Sequence, residues 1–149
     1  MKNISKNISY SEATHSNTAI NRGIKNEPDS KQLSNMVLLA EKVFQPLREH
    51  FGKPIQVTSF FRSIALNRAI GGASNSQHLA LNGAAIDIKI DKEMFLWIKY
   101  NLDFDQLIYE FGTDDMPQWV HVSYKAENNR KQVLKAIKEK GRTKYVDYQ

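Results

Sequence analysis

The chain predicts an α+β fold, a small antiparallel sheet with helices packed to one side. A helix-period apolar run over residues 29–47 precedes every strand signal. Short alternating segments follow at 54–60, 85–90, 106–111 and 118–125. The helical patterns among them segregate to one side. At 149 residues the chain is expected to form one domain with a single core.

Residues 1–27 form a polar, Asn/Ser-rich segment with a short helix after Ser11. Asp29 then opens a clear helix, with Gln32 three residues on completing a capping box. Leu33, Met36, Val37, Ala40, Val43, Phe44 and Leu47 recur at spacings of three and four, which gives one apolar face. Pro46 should kink or split this helix, and Gly52 should cap its end. Residues 54–60 alternate and are β-branched, so a strand is expected there.

A short helix follows from Ser63 to Ile70, closed by Gly71-Gly72 and a polar loop through Gln77. In the strand 85–90, Ile86, Ile88 and Ile90 share one face while Asp87 and Lys89 occupy the other. Asp91 caps a helix to about Leu102. Strands at 106–111 and 118–125 complete residues 28–127, the expected core of the domain. A basic helix is expected over 128–140, leading into a frayed end, so that 128–149 forms a basic helix and tail.

Charge and composition narrow the function. Residues 1–129 carry 14 Lys/Arg and 14 Asp/Glu, so the net charge of +5 resides in residues 130–149, with seven basic and two acidic side chains. Such a segment is either a solvated face or a surface drawn to an anionic envelope. No nucleic-acid partner is expected, and the chain should be a monomer. There is no cysteine, which excludes disulfides and a Cys-rich structural zinc site. The N-terminus has no apolar signal segment, so synthesis in the cytoplasm without a signal peptide is expected.

Only four histidines occur: His15, His50, His78 and His121. His78 follows Ser76-Gln77 on the polar loop, and His121 shares a strand face with Trp119 and Ser123. If the strands carrying Asp87 and His121 are neighbours, the two side chains converge and His78 can join them. Two imidazoles and a carboxylate suit a three-ligand zinc site with a fourth position open. On spacing alone the commoner reading is that of ordinary hydrogen-bonded side chains, which lone histidines more often are.

Several motifs in order narrow that choice. They are Thr58-Ser59-Phe60-Phe61-Arg62-Ser63, then Asn67, Gly71-Gly72-Ala73, Asn75-Ser76-Gln77-His78, Gly83-Ala84-Ala85-Ile86-Asp87 and Trp119-Val120-His121-Val122-Ser123. Together they closely resemble the zinc D-Ala-D-Ala carboxypeptidase family, which includes phage endolysins and shares its fold with the hedgehog signalling domain. The resemblance takes in most of the chain, including Ser11–Ser16, Asn26-Glu27-Pro28 and Asp105–Glu110.

It implies one Zn²⁺ held by His78, Asp87 and His121. It also implies that Arg62 binds a substrate carboxylate or polarises the scissile carbonyl. Ser76 would orient His78 or touch substrate, with a loop-capping serine as the alternative, and Trp119 would wall the cleft, although an aromatic on a strand more often packs in the core. The general base comes from Glu110, Asp114 and Asp115, and Glu110 is favoured because it ends a strand within the resembling segment. Aspartates of a Gly112–Pro117 turn are ordinarily structural.

The chain departs from the family pattern twice. Gly83 and Asp87 lie five and nine residues after His78, an apparent two-residue insertion near Ala80–Asn82. Phe60 also stands where a glycine is usual before the aromatic–Arg pair. The implied function is a zinc-dependent peptidase, of D,D-carboxypeptidase or endopeptidase type, acting on peptidoglycan stem peptides or cross-links. A phage or prophage endolysin acting on the wall after release fits best. Alternatives are a host wall-remodelling enzyme, a non-catalytic zinc-containing binding module and a virion-associated protein of the same fold.

Overall fold

The protein is described by a computed structural model over residues 3–149. Among the described residues six strands form one sheet: β1 (Gln56–Ser59), β2 (Ala84–Lys89), β3 (Gln106–Glu110), β4 (Trp119–Tyr124), β5 (Gln132–Glu139) and β6 (Arg142–Asp147). Their order is β1-β2-β4-β3-β5-β6. Every neighbouring pair is antiparallel except β3–β5, which is parallel. The helices are α1 (Tyr10–Thr14), α2 (Asn17–Arg22), α3 (Ser30–Leu39), α4 (Gln45–Phe51), α5 (Ile64–Ala69) and α6 (Lys92–Asn101). The fold is α+β with a mostly antiparallel open sheet, as the sequence predicts.

The long first helix forms for the reasons its sequence gives. Asp29 accepts the Gln32 N–H at 2.8 Å, and the Gln32 side chain accepts the Asp29 N–H at 2.9 Å, which completes the capping box. Pro46 has no N–H to give to the turn before it. The chain answers with a π-helical stretch, Ala40–Phe44, between α3 and α4. Gly52 ends α4 in the left-handed region at φ +64°. Val37 alone leaves the expected apolar face, at 39% exposure.

Alternation then sorts the sheet into two faces. Ile86, Ile88, Leu107, Tyr109, Val120 and Val122 join Met36, Leu39, Phe44, Leu47, Phe95 and Ile98 in the core. Asp87, Ile108, Glu110, Trp119 and His121 occupy the opposite face. One face thus carries stability and the other is free for chemistry.

The expected basic helix at 128–140 is overturned. Those residues and the expected tail form the hairpin β5–β6, whose two-residue turn is Lys140-Gly141. Both turn residues have positive φ, 53° and 77°, the backbone a two-residue hairpin requires. Val133, Leu134 and Ile137 have spacings that fit a helical face, yet Thr143, Tyr145 and Val146 are strand formers that supply β5 with a partner.

An ion pair to a buried carboxylate fastens the hairpin to the body. Asp105, fully buried, accepts from Arg130 Nε at 3.0 Å, Arg130 Nη2 at 2.7 Å and the Arg130 N–H at 3.0 Å. Burial alone would raise the Asp105 carboxyl, but the Arg130 hydrogen bonds outweigh it and hold it at about 2. The difference from an ordinary aspartate is worth about 2 kcal/mol. Because the folded-state pKa is depressed, this stability is complete above about pH 4 and is lost as pH falls towards 2. Urea unfolding at pH 6 and pH 2.5 should show a loss that Asp105→Asn, already weaker at pH 6, does not repeat. An equal acid loss in both proteins would place the sensitivity elsewhere.

Candidate active site

Neighbouring strands bring the cluster together. Asp87 on β2 pairs directly with His121 on β4, and their side chains share the face away from the core. His121 Nδ1 lies 3.0 Å from Asp87 Oδ1. His78 arrives on a short 3₁₀ turn, Gln77–Leu79, and its Nε2 lies 3.3 Å from Asp87 Oδ2. Ser76 caps that turn by accepting the His78 N–H at 3.2 Å. The apparent insertion is absorbed immediately afterwards, with Ala80 at φ 57° and Gly83 at φ 75°. A Cβ on Gly83 would stand 2.3 Å from the Tyr124 carbonyl oxygen, so only glycine lets β2 enter beside β4 here.

The donor set fits a metal ion. His78 Nδ1 sits 2.8 Å from the Phe60 carbonyl oxygen, which can only accept, so Nδ1 carries the proton. Burial pushes the His78 imidazole down against the pull of Asp87, which favours the neutral ring. Nε2 is then a bare lone pair, buried and without a hydrogen-bond partner, facing a carboxylate oxygen. Two acceptors facing each other at that distance call for a cation between them. Asp87 supports the same arrangement. Burial would raise its carboxyl, but positive charge at the imidazole positions outweighs that and holds it well below the usual range, so Asp87 meets a cation as the carboxylate. The ligating atoms of His78, Asp87 and His121 lie within 4.8 Å of one another, compact enough for one ion with bonds of about 2 Å.

Around the cluster is a cleft of about 1040 Å³ that takes in Arg62, Ser76, Glu110 and Trp119 as well as the three candidate ligands. The Arg62 N–H donates to the His78 carbonyl at 2.9 Å, and its Nη1 donates to Asn67 Oδ1 at 3.0 Å. Asn67 in turn donates to the Ala73 carbonyl at 2.8 Å. Gly72 packs so closely on this pair that a Cβ would stand 2.1 Å from Asn67 Oδ1. The guanidinium is thus held from behind, with its remaining donors available to the cleft. Burial lowers its pKa, opposed by Asp87 and Glu110, and the group stays charged.

Glu110 is buried at 7% exposure, and its Oε2 accepts the Trp119 indole N–H at 2.9 Å. Burial raises its carboxyl; His121 opposes this and Asp87 adds to it. A carboxyl raised in this way, in a cleft beside a metal-ligand set, is suited to moving protons. Asp114 and Asp115 sit elsewhere. Their turn is closed by the Thr113 N–H on the Met116 carbonyl, and the Asp114 side chain, 92% exposed, faces Lys135 at 3.7 Å. Neither lines the cleft.

His15 and His50 also stand apart: His15 lines a separate hollow, and His50 stacks on Trp97 with ring centres 4.4 Å apart. The sequence reading missed Gln132, Leu134 and Tyr145, which the C-terminal hairpin adds to the cleft. The signal that could have found them was Lys140-Gly141, a two-residue turn between strand-forming segments.

Among curated proteins none matches the chain. The sequence model of the family described as Peptidase M15 matches residues 6–123, a span that contains the His78–Asp87–His121 cluster, Arg62 and Glu110, and the chain belongs to that family.

Proposed function

We propose that this protein is a zinc peptidase that hydrolyses peptide bonds in bacterial peptidoglycan, in stem peptides or cross-links, and that it serves a phage or prophage as an endolysin. The observation that carries the reading is the cleft itself, where Glu110 and Arg62 flank a His–Asp–His set in which the buried, bare Nε2 of His78 faces a carboxylate. Peptidase M15 enzymes use zinc, and His78, Asp87 and His121 would hold it here. When bound, the ion supplies Lewis acidity to the scissile carbonyl and to the attacking water.

The chain's own residues supply the rest. Glu110 takes the proton released as water adds to the carbonyl carbon, and delivers it to the departing amine as the C–N bond breaks. Trp119 holds the Glu110 carboxylate in place through its indole N–H. Arg62, fixed by Asn67, takes a substrate carboxylate or the carbonyl oxygen as charge develops there. Ser76 fixes the turn that presents His78 and stands in the cleft, where it can also meet substrate.

The test is digestion of purified sacculi by the zinc-loaded protein, with the products identified by mass spectrometry. New free amino and carboxyl ends within the peptide are expected, abolished by a chelator and restored by zinc. Intact stem peptides and cross-links after prolonged digestion would end this reading.

The envelope is also proposed to be met through charge. The seven basic residues of 130–149 now belong to a folded hairpin and its approach rather than to a helix. Lys140 and Arg142 are exposed at its turn, and Lys144 is exposed beside Glu139. Replacing these three with Gln should weaken binding to isolated envelopes at low salt, and the difference should shrink as salt rises. Equal binding by the folded variant at low salt would make the hairpin an ordinary solvated surface.

A further inference from the structure

The residues matched to the family end at residue 123, before the hairpin begins, yet the hairpin reaches the cleft. Strand register shows how. One row across the sheet runs Asp87–His121–Ile108–Leu134. The next row runs Trp119–Glu110–Ala136–Tyr145. Opposed residues in a row share a face, so β5 and β6 continue the surface that carries the candidate base.

Ala136 is the small member of its row and is fully buried, so only an alanine stands between Glu110 and Tyr145, which lie two strands apart. Strand order sets the direction. Arg62 follows β1 at one edge, the His–Asp–His cluster lies on and beside β2 and β4, and Tyr145 lies on β6 at the other edge.

We propose that the β5–β6 hairpin is a substrate-binding wall in which Tyr145 contacts the peptide on the side of the cluster away from Arg62. The cleft then takes a peptide that continues on both sides of the scissile bond, and Tyr145 is a specificity-determining residue. This rests on the peptidase reading above. Burial raises the Tyr145 phenol, and the nearby charges of Glu110 and Asp87 raise it further, so it stays a hydrogen-bond donor at neutral pH. The residue is 54% exposed, open to a partner rather than consumed by the core. Tyr suits such a wall because it offers a broad apolar face with a polar tip. Leu134, in the adjoining row, adds an apolar contact between Tyr145 and the cluster.

The test uses the full zinc-loaded chain and muropeptides released from sacculi by a muramidase, both monomers and cross-linked dimers. Rates and products are read by liquid chromatography and mass spectrometry. The parent should cut an internal bond. Tyr145→Phe should lower kcat/KM about fivefold and Tyr145→Ala about thirtyfold, chiefly through KM, with zinc content and melting temperature unchanged. Tyr100→Ala, an exposed tyrosine on α6, should match the parent.

If Tyr145→Ala stays within about twofold of a parent that cuts well, the wall is overturned and the peptidase reading stands. Release of single terminal residues alone would overturn the two-sided cleft. A parent that cuts no muropeptide would overturn the peptidase reading, and the wall with it.

Discussion

Glu110→Gln is expected to bind zinc as the parent does and to lose about 10²- to 10⁴-fold in kcat, the usual worth of a positioned proton-transfer group. The substitution keeps the length of the side chain and an oxygen for the Trp119 indole N–H, 2.9 Å away in the parent. It removes only the capacity to accept a proton. KM should change little, because Glu110 acts on the proton of the attacking water rather than on bound peptide.

The pH profile provides a second readout. The base works deprotonated, and burial has raised its pKa, so parental activity should rise with pH through a range above that of an ordinary glutamate. Residual activity of the Gln variant should lack that contribution. Asp114→Asn and Asp115→Asn should stay close to the parent, since both side chains lie on an exposed turn outside the cleft. A dead Asp115→Asn with zinc in place, beside an active Glu110→Gln, would move the base to the turn.

Local rules made much of this arrangement legible. Period-2 alternation put Asp87 and His121 on faces opposite the isoleucines and valines, and strand pairing then brought the two together. The Asp29 capping box and the Gly52 cap follow from side-chain chemistry within a few residues. What stayed hidden depends on the main chain or on distant partners. The group that orients His78 is a carbonyl at Phe60, and a carbonyl is the same whatever side chain precedes it. This explains how Phe60 can stand where the family usually has glycine. Its ring fills the core while its backbone serves the site.

The C-terminal misreading has the same origin. Apolar spacing in 133–137 fits helix or strand, and the decision belongs to a partner strand that starts at Arg142. Parallel pairing of β5 with β3 is set by non-local bonds, the Gln132 N–H to the Asp105 carbonyl and the Arg130–Asp105 ion pair among them. Neither leaves a periodicity in the sequence.

Removing a candidate metal ligand should have the other large effect, and it can be read without any substrate. The parent should carry about one zinc per chain after dialysis, as three protein ligands to one ion imply. Asp87→Ala and His78→Ala should each lower zinc affinity by more than about 100-fold, because loss of an orienting partner alone commonly costs 10- to 100-fold. Zinc at 100 times its dissociation constant stabilises a fold by about 2.7 kcal/mol, so the parent's melting temperature should climb with added zinc while the variants' should not.

Asp87→Ala is the sharper of the two. It withdraws the carboxylate that both imidazoles face, at 3.3 Å from His78 Nε2 and 3.0 Å from His121 Nδ1. The buried His78 Nε2 then has neither a cation nor an anion to meet. His15→Ala and His50→Ala should bind zinc fully, because one lines a separate hollow and the other stacks on Trp97. Full zinc occupancy in Asp87→Ala, with a zinc-dependent melting shift equal to the parent's, would mean that the ion is held elsewhere. The facing acceptors at His78 and Asp87 would then need another explanation.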